Sequence, residues 1–301
     1  MTAAVPAVAR AGRILEQLTR APRRSFSAAE LATELGIHRA TCFSILTCLA
    51  ELGLVHRDPV RKTYKLGPEL IHLGLSSLSQ HPGAEEAERE AYALAHDLDA
   101  GCLVCLAVGD EMVIAVRAGS ERAELGLPPV SSTRVPMVPP LGGIFVAWSS
   151  PSVIEQWLAR APETSSVEEM ESFRRSLTAI RARGYSIGSE FEVELQLEEV
   201  LARIGSRETA ERLAGALQLA DLVRLGKPGP PPGTRSIGHL IAPVFDDGGA
   251  VSMTLSLFGR PGQIDEVNVA RYAHPLLAAA ARVTRAAGGR WPDAPRSMAA
   301  Y

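Results

Sequence analysis

Apolar positions in the first 75 residues recur at helical spacing in three short blocks. Ile14, Leu15 and Leu18 share one stripe within residues 9–19 and predict a first helix, ended by Ala21-Pro22 and its neighbouring arginines. Ser27-Ala-Ala-Glu30 has the spacing of a capping box, in which serine and glutamate each satisfy an otherwise unpaired backbone N–H, and it opens a second helix over Ala28–Leu35. Gly36 stops that helix and Ile37 is an apolar plug. A third helix then runs from about Arg39 to Leu52 with Ile45, Leu46 and Leu49 inward. A short capped helix, a three-residue turn and a longer helix are the spacing of a helix-turn-helix, whose second helix enters the DNA major groove. At Gly53 the period changes: residues 53–67 alternate on both sides of Asp58-Pro59, as a two-stranded hairpin does.

Beyond the hairpin, residues 68–79 read as a linker helix, His81-Pro-Gly as a break and Ala84–Leu98 as a long helix. Strands are predicted over 103–108 and 112–118, joined at Gly109-Asp110-Glu111, and over 238–245 and 250–258, joined at Asp246-Asp-Gly-Gly. Helices are predicted over 142–149, 152–159 and 167–184, with a closing helix over 265–287. Strands in runs with helices packed on one side give an α+β class. Residues 193–235 look like an insertion of two helices, 193–204 and 207–225, before the stiff loop Lys227-Pro-Gly-Pro-Pro-Pro-Gly. That insertion reads either as a lid on its own domain or as an oligomer contact or gate. The expected domains are residues 1–67, a linker helix at 68–83, a body at 84–288 and a mobile tail at 289–301.

Composition narrows the class. Hydrophobic residues make up 46% and charged residues 22% of 301, enough apolar material for a sizeable core, which excludes wholesale disorder. No apolar run approaches the ~20 residues of a membrane helix, and residues 1–9 are too short for a secretory signal. A cytoplasmic, nucleoid-associated protein without membrane contact is expected. The cysteines at 42, 48, 102 and 105 are too few for a disulfide scaffold. Cys102-x-x-Cys105 falls in an apolar run that reads as a strand, so the two thiols point to opposite faces, and neither a metal nor a cofactor is expected. Charge is unevenly spread. Residues 1–75 carry 10 Lys/Arg against 6 Asp/Glu, and the remainder 21 against 28, the balance of a phosphate-binding head on an acidic body.

The candidate chemistry follows from that head. The exposed face of the third helix is expected to present His38, Arg39, Thr41, Cys42 and Ser44, donors and small residues suited to base edges. Arg57, Arg61, Lys62 and Lys65 on the hairpin would contact flanking phosphates. A plain three-helix bundle with a solvated polar face is the alternative, but it gives no reason for four cations on one hairpin.

Residues 10 to 74 resemble the bacterial isocitrate-lyase-regulator (IclR) type of transcription factor. The resemblance is carried by Arg10-Ala-Gly-Arg-Ile-Leu, Glu30-Leu-Ala-Thr-Glu-Leu-Gly, Arg39-Ala-Thr, Leu49-Ala-Glu-Leu-Gly-Leu-Val and Tyr64-Lys-Leu-Gly-Pro-Glu-Leu-Ile-His-Leu-Gly. Ala40 stands where such proteins often carry serine, and Ser44 where they often carry arginine. The resemblance continues less densely through Ala107-Val-Gly-Asp-Glu, Ile180-Arg-Ala-Arg-Gly-Tyr, Ala242-Pro-Val-Phe-Asp and Leu255-Ser-Leu-Phe-Gly.

It implies a winged helix-turn-helix domain, a linker helix and a C-terminal effector-sensing domain with an antiparallel sheet and flanking helices. The implied partners are a double-stranded DNA operator with inverted half-sites, a small-molecule effector, and further copies of the chain as a homodimer or dimer of dimers. The effector would lie between the sheet and residues 135–144, where the family's usual histidine and threonine are replaced by Val138 and Pro140. That exchange favours an apolar or aromatic effector. Met137 and Val138 would line the wall, with Cys105, Glu190, His239 and Ser256 as the polar groups. A competing reading makes Cys105 and His239 the nucleophile and base of an enzyme, but no nucleophile elbow, phosphate loop or orienting acid accompanies them.

Overall fold

The computed structural model describes residues 5–21, 24–119, 134–162, 165–188, 237–259 and 263–292. The predicted helices within 193–225, the loop at 227–233, Glu190 and most of the tail lie outside them. The chain divides into two compact units, residues 1–80 and 81–301.

The first unit runs α1 (Pro6–Arg20), β1 (Phe26–Ser27), α2 (Ala28–Leu35), α3 (Arg39–Glu51), β2 (Val55–Arg57), β3 (Thr63–Leu66) and α4 (Glu69–Ser79). Ile14 and Leu18 of α1, Leu31 of α2 and Leu46 of α3 meet in one buried cluster with Phe26, Val55 and Tyr64. The hairpin is one strand larger than its pattern shows. Phe26 and Ser27 pair antiparallel with Tyr64 and Thr63, so the sheet order is β1-β3-β2 and the wing is tied to the start of α2. Helix α4 buries no residue within this unit, and Ile71, Leu73 and Leu75 are exposed on it.

The second unit is built on a six-stranded antiparallel sheet of order β6-β5-β4-β9-β8-β7, from β4 (Gly101–Val108), β5 (Glu111–Ala118), β6 (Arg134–Pro136), β7 (Ser186–Gly188), β8 (His239–Phe245) and β9 (Val251–Phe258). Met253, Leu255 and Leu257 of β9 face α5 (Ala84–Leu98) and α9 (Val269–Ala286) in the main core. Alternation turns Thr254 and Ser256 to the opposite face, toward a second cluster formed by α6 (Gly143–Val146), α7 (Pro151–Leu158) and α8 (Val167–Arg183) around Met137, Trp157 and Leu177.

Polar contacts help to hold α9 in place. Arg282 binds both carboxylate oxygens of the buried Glu90 on α5, with Nη2 at 2.8 Å from Oε2. The bulge at Val244/Phe245 frees the Phe245 N–H, which donates to the buried Thr284 hydroxyl at 3.2 Å. Among the described residues no helix is long and apolar enough to cross a membrane, and no group of three potential metal ligands occurs.

Candidate nucleic-acid interface and effector face

The entry to α2 is fixed by its cap. The Ser27 hydroxyl accepts from the Glu30 N–H at 3.2 Å, and the Glu30 carboxylate accepts from both the backbone N–H and the hydroxyl of Ser27 at 2.7 Å. These bonds, joined by Arg24 at 3.0 Å, hold the Glu30 carboxyl at about 2. The exit is fixed by Gly36 in the left-handed region at φ 62°, which any side chain would resist, followed by Ile37, whose N–H donates to Ala32 O while its side chain is buried. These two caps leave three residues to swing the chain into α3.

Helix α3 is anchored by Cys42, Leu46 and Leu49, at spacings of four and three residues. Cys42 is thus not on the exposed face where the sequence reading put it. It is fully buried, because its position continues the Leu46/Leu49 stripe and a thiol packs as a small hydrophobe. His38, Arg39 and Ser44 are exposed and Thr41 is half-buried. The exposed face also carries Ala40, Phe43, Thr47 and Cys48, which the sequence reading passed over; Phe43 keeps 48% of its surface in solvent.

On the wing, Arg57, Arg61, Lys62 and Lys65 are all exposed. The tip between them is a built turn. Asp58 Oδ1 accepts from the Val60 and Arg61 N–H groups at 2.8 and 2.9 Å, Asp58 N–H donates to Thr63 O, and Lys62 takes a φ of 53°. The two accepted N–H bonds pull the Asp58 carboxyl below its usual range, so the turn's anion persists to lower pH than that of a free aspartate.

In the second unit the face opposite α5 and α9 carries a short polar row. Cys105 pairs with Thr254 in register, and Ser256 lies two positions further along β9. Thr254 and Ser256 are buried and their hydroxyls reach the Cys105 sulfur. Burial pushes the Cys105 thiol up to about 12, far from a nucleophile's range. His239 pairs with Phe258, four strand positions from Thr254, or about 13 Å at ~3.3 Å per residue. Cys105 and His239 are therefore not assembled as nucleophile and base. The His239 ring lies against Phe258 and across Gly188, where a Cβ would come within 1.9 Å of it, so only glycine fits opposite. Met137 packs into the second cluster beside Val138, which is half-buried. Thr254 is the member of this row that the sequence reading missed; its period-2 phase with Ser256 was the available signal.

A capped helix-turn-helix with an exposed cationic wing is joined, on this chain, to a second unit built as a helix-flanked antiparallel sheet. Residues 7–59 match the IclR helix-turn-helix domain. The chain is 29% identical over 198 residues to the glycerol operon regulatory protein of Streptomyces coelicolor, a match spanning 62% of this chain and 74% of that protein. Its fold is similar to an IclR transcriptional regulator from Alicyclobacillus acidocaldarius, at TM-score 0.68 and 21% identity over 95% of this chain and all of the other. It is also similar to an IclR homologue from Microbacterium hydrocarbonoxydans complexed with 4-hydroxybenzoate, at TM-score 0.61 and 15% identity, over 94% of this chain and 99% of the other.

Proposed function

We propose that the chain binds a double-stranded operator of inverted half-sites as a homodimer or dimer of dimers, and that a small apolar or aromatic effector in the second unit alters that affinity. The observation that carries the DNA reading is the wing, where four exposed cations surround a tip organised by Asp58. Arg39 at the start of α3 would contact a base edge and the wing cations the phosphates. The exposed Ile71, Leu73 and Leu75 of α4 support a second copy at this helix and a transmitting role for it. An effector can act only through a difference in affinity for two arrangements of the assembly.

For the effector, the proposed contacts are Met137 and Val138 on one side and Cys105, Thr254 and Ser256 on the sheet, with His239 further along it; Glu190 is kept as a candidate from sequence. The Microbacterium homologue of this fold holds 4-hydroxybenzoate, which makes that compound the first to titrate. Salt dependence tests the DNA reading. Changing both Arg61 and Lys62 to Ala should weaken binding to selected and random duplexes equally and reduce the salt slope by roughly two, at ~0.9 per phosphate contact. An unchanged slope would take the wing off the backbone.

A further inference from the structure

We propose that Phe43 determines sequence specificity by seating its ring on the C5-methyl group of a thymine in each half-site, an inference that rests on the DNA-binding reading above. The exposed face of α3 is poor in free donors. The Ser44 hydroxyl donates to Ala40 O at 3.0 Å and the Thr47 hydroxyl to Phe43 O at 2.9 Å, so both protons are spent inside the helix and their oxygens face outward as acceptors. Arg39 and His38, at the first turn, are the nitrogen donors of this face.

Between them and the back-bonded hydroxyls stand the methyl of Ala40 and the half-exposed ring of Phe43, one helical turn apart and on one side of α3. Phe43 lies outside the buried cluster that Cys42, Leu46 and Leu49 anchor, so packing within the unit does not account for it. In the major groove the one apolar group that a base pair offers is the thymine methyl, and an aromatic ring beside a small side chain is the surface complementary to it. The exposed cations of the wing supply the phosphate attraction that would bring this apolar face against the groove. Methyl burial would then carry base discrimination at the centre of α3, and donation from side-chain nitrogen would be confined to its first turn.

The test uses the full-length protein and a duplex operator selected from a random pool. Each thymine of one half-site is replaced in turn by deoxyuridine, which removes the methyl and leaves the Watson–Crick edge intact. At one position the affinity should fall about fourfold, the equivalent of the ~0.8 kcal/mol of one buried CH₂ group. Phe43→Ala should bind the parent operator about as weakly as the wild type binds the uridine one, and should be indifferent to the exchange; Phe43→Leu should keep part of the sensitivity. Thermal melts of both variants should match the wild type, since the ring is half-exposed. If every thymine can be exchanged without loss while binding keeps its steep salt dependence, or if Phe43→Ala weakens all sequences equally, Phe43 does not read a methyl and the regulator reading stands. If the wild type shows no salt-dependent duplex binding, that reading falls and this inference with it.

Discussion

A single carboxylate, Glu30, shows how closely the fold and the candidate site depend on local chemistry. Its folded value of about 2 lies below the ordinary carboxylate value, so the ionised form stabilises the protein at neutral pH and that contribution is lost as the pH falls toward 2. Glu30→Gln should therefore flatten the acid limb of the stability curve, read as urea midpoints between about pH 5 and pH 2. The difference should shrink at high salt, because the side chain is exposed. This residue was legible in the sequence because a capping box has a fixed spacing and needs nothing from the rest of the fold. Cys42 was not. As one of five residues at the start of a helix it passes for small and polar, and only the phase of Leu46 and Leu49, four and seven positions on, shows that it points inward.

At the scale of elements, the long periodic segments were readable to within a few residues and the short edge strands were not. Ala28–Leu35 and Ala84–Leu98 stand as expected, whereas α1 begins at Pro6 and α7 at Pro151, each with proline at the favoured first position that the apolar stripe does not mark. Strands β1, β6 and β7 have two or three residues, too few to show alternation; they exist because a neighbouring strand offers them a ladder. The docking of α9 on α5 could not be read at all, since Glu90 and Arg282 lie 192 residues apart. Arg282→Met should leave the buried Glu90 without its partner and cost about 2 kcal/mol in urea denaturation, less than the ~3–5 of a fully buried pair because Arg282 is half-exposed. Adding Glu90→Leu to that variant should recover most of the loss.

For the molecule as a whole, the two units carry separate hydrophobic clusters, and this separates the two halves of the proposed function. Val138→Asp should abolish the response to the proposed effector, since it places an unpaired charge beside the Met137 cluster, while ligand-free operator affinity stays unchanged. A fluorescence titration and a gel shift on the same preparation measure both; a normal response would move the effector away from this wall. The proposed effector face was only partly legible because its candidate members, Cys105, Thr254 and Ser256, come from strands about 150 residues apart whose register no local pattern encodes. The division into units has one more result. The boundary at residues 80/81 is also where the charge changes sign, from 10 basic against 6 acidic residues to 21 against 28. A polyanion therefore attracts the first unit and repels the second, so each unit's own charge, and not the chain's net charge of −3, sets how it meets such a partner.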